Sequence, residues 1–282
     1  MDGDGHGTHV SMLVLKAFPN ADLYIAKVAS DGTKIGKEAI VKALRWAIDT
    51  KVDVLNMSFG WMHVDVGDMA ELLSEAERKH ILLFAATSNY GLRDPIGMSY
   101  PAISDNVIGI DCANGAGVSS KDLNPPSNST NNAKWWRFSA PGERVESAYP
   151  TKKTESGLMR LDGTSFASPI AAGVAAMVLE FARQPPLSFE PRISEILKTR
   201  TGMLWIFHDL LTDKIEDILP FRFLLPWRLF DAKKREDGTF VVGSAVKAGA
   251  PRRRAAENIV ECLKLRIPDL GEEFYERLNR RD

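Results

Sequence analysis

The run Ser165–Ala182 constrains this chain more than any other segment. Ala171, Ala172, Val174, Ala175, Val178, Leu179 and Phe181 spread over nearly every side of one helix. A helix that is apolar almost all round is stable only when buried. The rest of the chain must therefore supply layers around it. Residues 22–110 have the right pattern. Leu23–Val28, Val52–Met57, Ile81–Ala86 and Val107–Ile110 are apolar runs of strand length. Between them, Lys37–Thr50 places Ile40, Leu44, Ala47 and Ile48 at helical spacing, and Asp68–Lys79 does the same with Met69, Leu72, Leu73 and Ala76. Strands apolar on both faces that alternate with helices predict an α/β fold, a parallel sheet flanked by helices on both faces.

At 282 residues, 44% apolar and 26% charged, the chain has the size of one large domain or one domain with an appendage. A net charge of −1 gives no global field for nucleic acid or an acidic membrane, so neither is expected as a partner. Cys112 and Cys262 are too few and too far apart for a disulfide framework, and nothing has metal-ligand spacing; no metal and no cofactor is expected. No apolar run is read as a membrane span, since the best stretches are broken by His208 and Asp209 or by Arg222 and Arg228. The polar start Met1-Asp2-Gly3-Asp4-Gly5 is no signal peptide, and the expected location is cytoplasmic.

Residues 114–137 are rich in Ser, Asn, Gly and Pro and read as a long surface loop, closed by Trp135 and Trp136 as packing residues. Asn128-Ser129-Thr130 matches a glycosylation pattern and carries little weight without a secretory signal. Gln184-Pro185-Pro186 breaks the pattern, and the character of the chain changes. The expected division is a domain over 1–185 and a mainly helical extension over 186–282. Helices are expected near Ile193–Arg200, Met203–Leu211, Ala255–Arg266 and Glu272–Arg280. Pro220–Phe230 is aromatic and proline-rich. Arg252-Arg253-Arg254 reads as a solvated helix start. Docking of a protein partner is one reading of the extension.

Three segments carry chemistry. In Gly163-Thr164-Ser165-Phe166-Ala167-Ser168-Pro169 a serine opens the buried helix. A helix N-terminus offers unpaired N–H groups and a positive dipole end. A nucleophile there has a donor ready for the oxyanion. Pro169 is read into the first turn, where its missing N–H costs nothing. Serine needs a general base, and His6, in His6-Gly7-Thr8-His9-Val10, is the candidate. The third segment, Leu82–Asn89, ends a strand on an asparagine. Each motif alone is more simply a helix cap, a surface histidine or a strand end.

Together they resemble the subtilisin family of serine peptidases. His6-Gly7-Thr8-His9-Val10 is similar to that family's histidine motif, and Gly163–Pro169 to its nucleophile motif. Asn89 matches its oxyanion asparagine, and the order His, Asn, Ser is the family's order. The segments 21–28, 52–60 and 139–142 agree as well. The resemblance spans roughly residues 3–182 and implies a serine endopeptidase. Ser165 is then the nucleophile, His6 the base, and Asn89 with the Ser165 N–H the oxyanion hole. Ser58, Phe59 and Gly60 are expected to line the cleft and pair with an extended protein or peptide substrate. Ala86, Thr87 and Ser88 are expected to form the other wall of the first specificity pocket. Phe59 is alternatively a packed strand-end aromatic, and Cys112 reads as a buried strand-end residue.

The sequence also departs from the pattern. The family's catalytic aspartate ends a central strand upstream of the histidine, and no triad aspartate is found here. Asp2 and Asp4 share a short loop with His6 and are expected to point to solvent. The aspartate holds the imidazole in its tautomer. In subtilisin, a member of that family, its loss costs about 3 × 10⁴ in kcat, which is ~6 kcal/mol. The expected fold therefore lacks the first central strand. One expectation is that Met1 is a misplaced start and the natural chain is longer. The alternatives are a catalytically impaired scaffold that binds peptides, and a gap filled by another segment, from 187–282 or from another chain. Ser11-Met12 stands where the family has Ala-Gly, and the calcium loop common in secreted members is not recognisable. Ser88 stands in place of a glycine and is expected to narrow the pocket toward small residues.

Overall fold

A computed structural model describes residues 2–29, 35–61, 67–91, 97–126, 137–212, 221–234, 240–242 and 251–279. Trp135, Trp136 and Asn128–Thr130 lie outside them. Five parallel strands form the central sheet: β1 (Val54–Met57), β2 (Leu82–Ala86), β3 (Ile108–Ala113), β4 (Arg137–Pro141) and, entering from far along the chain, Phe221–Phe223. They lie in that order, with Phe84 opposite Ile108 and Ile110 opposite Phe138.

The period of the strands decides what covers each face. Leu82 and Phe84 point to one side with Ile108, Ile110, Phe138 and Ala140. Leu83 and Ala85 point to the other. The second face is covered by α2 (Lys37–Thr50) and α3 (Gly67–Arg78), through Ile40, Leu44, Ile48, Met69, Leu72 and Leu73. The first is covered by α4 (Thr164–Arg183) and the helices that follow it. Helix α1 (His6–Ala17) packs on α4. A Cβ on Gly173 of α4 would stand 2.7 Å from the Ala17 Cβ, so glycine is what permits the close approach.

Three expectations are corrected. Leu23–Val28 is extended but belongs to no ladder; Tyr24 and Ile25 are 58% and 63% exposed. A strand forms only where another strand offers partners, and no described strand lies beside this one. Among the described residues β1 likewise pairs only with β2. α4, at 20 residues, does have the length and composition of a membrane span, but 67% of its most apolar window is buried inside the fold. Its apolar surface is taken up by the sheet and α1. Finally, Pro169 sits inside α4 rather than in its first turn.

The long loop after β3 is tied to it by Asn124. Its Oδ1 accepts the Cys112 N–H at 2.7 Å and its Nδ2 donates to the Cys112 carbonyl at 2.6 Å. The sequence reading did not anticipate the antiparallel hairpin of β5 (Val145–Ala148) and β6 (Leu158–Leu161). Beyond α4 come α5 (Pro191–Leu197), α6 (Arg200–Trp205), a π-helical turn Ile206–Leu210, strand β7 (the Phe221–Phe223 strand), α7 (Arg228–Asp231), the β8–β9 ribbon (Ala232–Lys234 with Phe240–Val242), α8 (Pro251–Lys264) and α9 (Glu272–Asn279). The composition change at 185 falls just past the end of α4. The residues after it share one core with the sheet: Phe207 meets Phe84 and Phe138 at ring distances of 6.0 and 5.4 Å.

Candidate active site

The three motif segments converge on the first turn of α4. Gly163 precedes it at φ 151°, a conformation that a side chain rarely adopts. The Ser165 N–H lies in the first turn and has no intrahelical carbonyl to bind. Asn89 is exposed at the end of the β2 segment. Its Oδ1 accepts the Thr164 N–H at 2.8 Å and the Thr164 hydroxyl at 3.1 Å. The Asn89 amide thus lies against Gly163 and Thr164, the two residues before Ser165. Thr164 was a motif letter in the sequence; in the fold it fixes which way the asparagine faces.

Ser58 reaches the same turn from the end of β1. Its hydroxyl donates to the Ser165 carbonyl at 2.7 Å. A residue four places on normally supplies that hydrogen, but here it is Pro169, which has none. Beneath it, Ser168 Oγ donates to Asn56 Oδ1 at 2.7 Å, and Asn56 Nδ2 donates to Ser58 Oγ at 2.9 Å. Asn56 and Ser168 were not singled out from sequence. Their signal was two polar residues within apolar runs, which must find partners when buried. Ser58→Ala is expected to leave the Ser165 carbonyl unsatisfied and lower stability by about 1–3 kcal/mol, read as a shift in the urea midpoint. An unchanged midpoint would show that the proline gap needs no filler.

His6 starts α1 and is half-buried, with its ring 5.5 Å from that of Phe166, the neighbour of Ser165. No hydrogen bond joins His6 and Ser165. Burial holds the imidazole below its ordinary 6.5, against the upward pull of the Asp4 and Asp2 carboxylates. It is therefore neutral at pH 7, the form able to accept a proton. His9 is fully buried, edge-on to Phe166 at 4.7 Å, and burial lowers its pKa as well. His9 packs in the core, whereas His6 is only half-buried.

Asp2 does not simply point to solvent. Its carboxylate accepts the Gly5 and Thr8 N–H groups at 2.9 and 2.7 Å and the Thr8 hydroxyl at 2.8 Å. Burial pushes its pKa up, but these bonds outweigh it and bring the value down to about 2. Asp2 thus caps α1 and is committed to the backbone. Asp4 offers its main-chain carbonyl to Tyr149 and Lys153. Among the described residues no carboxylate hydrogen-bonds the His6 ring.

The segments expected to line the cleft are 58–60 and 86–88. Phe59 is half-buried against Trp61, rings 5.3 Å apart, and Gly60 is exposed. Trp61 and Tyr100 exchange backbone hydrogen bonds at 2.9 Å. On the other side Ala86, Thr87 and Ser88 are buried. The Thr87 hydroxyl points inward to Asp111 at 2.7 Å. The Ser88 Oγ accepts the Tyr90 N–H at 3.2 Å. Among the described residues no group of three His, Cys, Asp or Glu side chains is arranged to hold a metal ion.

Comparison with known proteins gives the family. The subtilase family model matches residues 1–208. The chain is 35% identical to subtilisin DY of Bacillus licheniformis over 214 residues, 72% of each chain. It is 31% identical to the major intracellular serine protease of Bacillus subtilis (strain 168), over 69% of this chain and 60% of that one. It spans about half the length of several other subtilisin-like relatives. Among solved structures, the patellamide maturation protease PatA superposes with a TM-score of 0.58 at 22% identity, over 80% of this chain and 84% of that one, a likeness of fold.

Proposed function

The chain belongs to the subtilase family, and from that premise we propose that it is a serine endopeptidase with Ser165 as nucleophile and His6 as general base. The observation that carries this reading is the convergence of Ser165, Asn89 and the His6–Phe166 contact on the first turn of α4. Ser165 Oγ attacks the carbonyl carbon of the substrate peptide, and His6 takes its proton. The oxygen that gains charge is held by the Ser165 N–H and the Asn89 amide. His6 then gives the proton to the leaving nitrogen as the C–N bond breaks, and water hydrolyses the acyl-enzyme by the same steps in reverse.

The proposed substrate is a protein or peptide in extended form, lying along Ser58, Phe59 and Gly60. Ala86, Thr87 and Ser88 back the first specificity pocket. With Ser88 in place of glycine, small residues before the cleaved bond are preferred. Cytoplasmic placement follows a relative named as intracellular, and cell fractionation tests it. The direct test of the chemistry is labelling with a fluorophosphonate, which reports an activated serine independent of substrate choice.

A second reading, a peptide-binding scaffold with little turnover, is favoured by two observations. No carboxylate orients the His6 ring among the described residues, and the far edge of β1 and the extended 22–26 segment are unpaired. A folded chain that binds peptides and takes no label would select this reading.

The pH dependence follows from His6. Only the neutral imidazole accepts a proton, and burial lowers its pKa below 6.5. The labelling rate should therefore rise with pH and level off, with its midpoint under 6.5. A midpoint above that value would mean that a carboxylate stabilises the imidazolium after all.

A further inference from the structure

We propose that the buried Asp111–Arg137 pair is a positioning device for the oxyanion-binding segment. This rests on the reading of Ser165 and Asn89 given above. Asp111 on β3 is fully buried, and Arg137 at the start of β4 is 4% exposed. The guanidinium grips the carboxylate with two bonds, Nε to Oδ2 at 2.9 Å and Nη2 to Oδ1 at 2.8 Å. Its remaining reach goes to the Pro125 and Pro126 carbonyls at 3.2 and 3.1 Å. A buried ion pair is often no more stabilising than apolar residues of the same shape. Stability alone is a weak reason for one here.

Geometry gives a better one. Asp111 Oδ1 also takes the Thr87 hydroxyl at 2.7 Å. The Thr87 carbonyl accepts both the N–H and the hydroxyl of Ser99, each at 2.7 Å. Thr87 is therefore held from two directions. The next two residues carry the anchors to α4: the Ser88 carbonyl accepts the Thr164 hydroxyl at 3.0 Å, and Asn89 Oδ1 accepts the Thr164 N–H. Ser99 also abuts the other wall, since a Cβ on Gly60 would come 2.3 Å from its Oγ. Thr87 thus ties both walls and the asparagine to one rigid pair deep in the sheet. A displacement at Thr87 moves the donor relative to Ser165, and small misplacements are costly in rate.

The test uses the full chain. Asp111→Ala would strand a buried guanidinium and damage the whole core, so Thr87 is the place to cut the link. Thr87→Val keeps the shape and removes the hydroxyl. Thr87→Ser keeps the hydroxyl and removes the methyl, which packs near Gly109. The readout is the second-order rate of fluorophosphonate labelling at Ser165, with the melting temperature alongside. Thr87→Val is expected to slow labelling roughly tenfold or more, and Thr87→Ser to recover most of that loss. A purely structural role would make the serine variant as slow as the valine one, since both lose packing or a bond. That result, or a valine variant that labels at the parental rate, overturns the proposal. A folded parent that takes no label overturns the reading of Ser165 itself, and the positioning role with it.

Discussion

Ser165→Ala should abolish fluorophosphonate labelling, because the adduct forms on the Oγ that the substitution removes. The loss of peptide hydrolysis is more informative in its size. In subtilisin, a member of this family, removing the nucleophile costs about 2 × 10⁶ in kcat, about as much as removing all three triad residues. Losing the aspartate alone costs about 3 × 10⁴. The ratio leaves roughly 70-fold for a serine and histidine acting without their carboxylate. A drop of about 10²-fold would therefore fit the His6 environment described here, in which Asp2 is committed to capping α1. A drop near 10⁶ would show that a carboxylate reaches His6 in the working protein. Unchanged hydrolysis would remove Ser165 from the mechanism.

Ending the chain after Gln184 should abolish cooperative folding. Leu187, Ile193, Leu197, Met203, Ile206 and Phe207 are each at most 1% exposed. Burial of one such side chain is worth about 1.5–3 kcal/mol, and a whole domain is stable by only about 5–15 kcal/mol. The cut also removes β7, leaving β4 as an unpaired edge, and takes Phe207 from between Phe84 and Phe138. We propose that the two halves either side of residue 185 form one cooperative unit. Thermal unfolding followed by circular dichroism checks this, with Phe207→Ala as the milder case at about 3–5 kcal/mol. A truncated chain that keeps a sharp transition at the parental temperature would show the extension to be dispensable.

The site and the fold differ in how far the sequence reaches. Sequence pattern is a local property, so the unbroken apolar run Leu82–Ala86, the buried helix after Ser165 and the α2 and α3 faces could be read directly. The motif segments were equally local, and their order along the chain pointed to the family. Three kinds of feature were beyond such reading. Leu23–Val28 has strand composition but no ladder, because pairing depends on a neighbour that composition does not encode. β7 was hidden in an aromatic run of three strand residues, too short for a period to show.

The partners of buried polar groups were the third. Asp111 and Arg137 each sit in an apolar strand, so each needed a partner, but 26 residues separate them and only the register of β3 against β4 brings them together. The same holds for Ser58 and the carbonyl left by Pro169. Sequence alone thus determined which residues are the candidates for the chemistry and that a parallel sheet packs against one buried helix. The tertiary structure decided how they are held: Asn89 oriented by Thr164, Thr87 tied to a buried ion pair, and Asp2 bound to a helix end. Hydrogen bonds act over about 3 Å, and only the folded chain brings such distant residues within that reach.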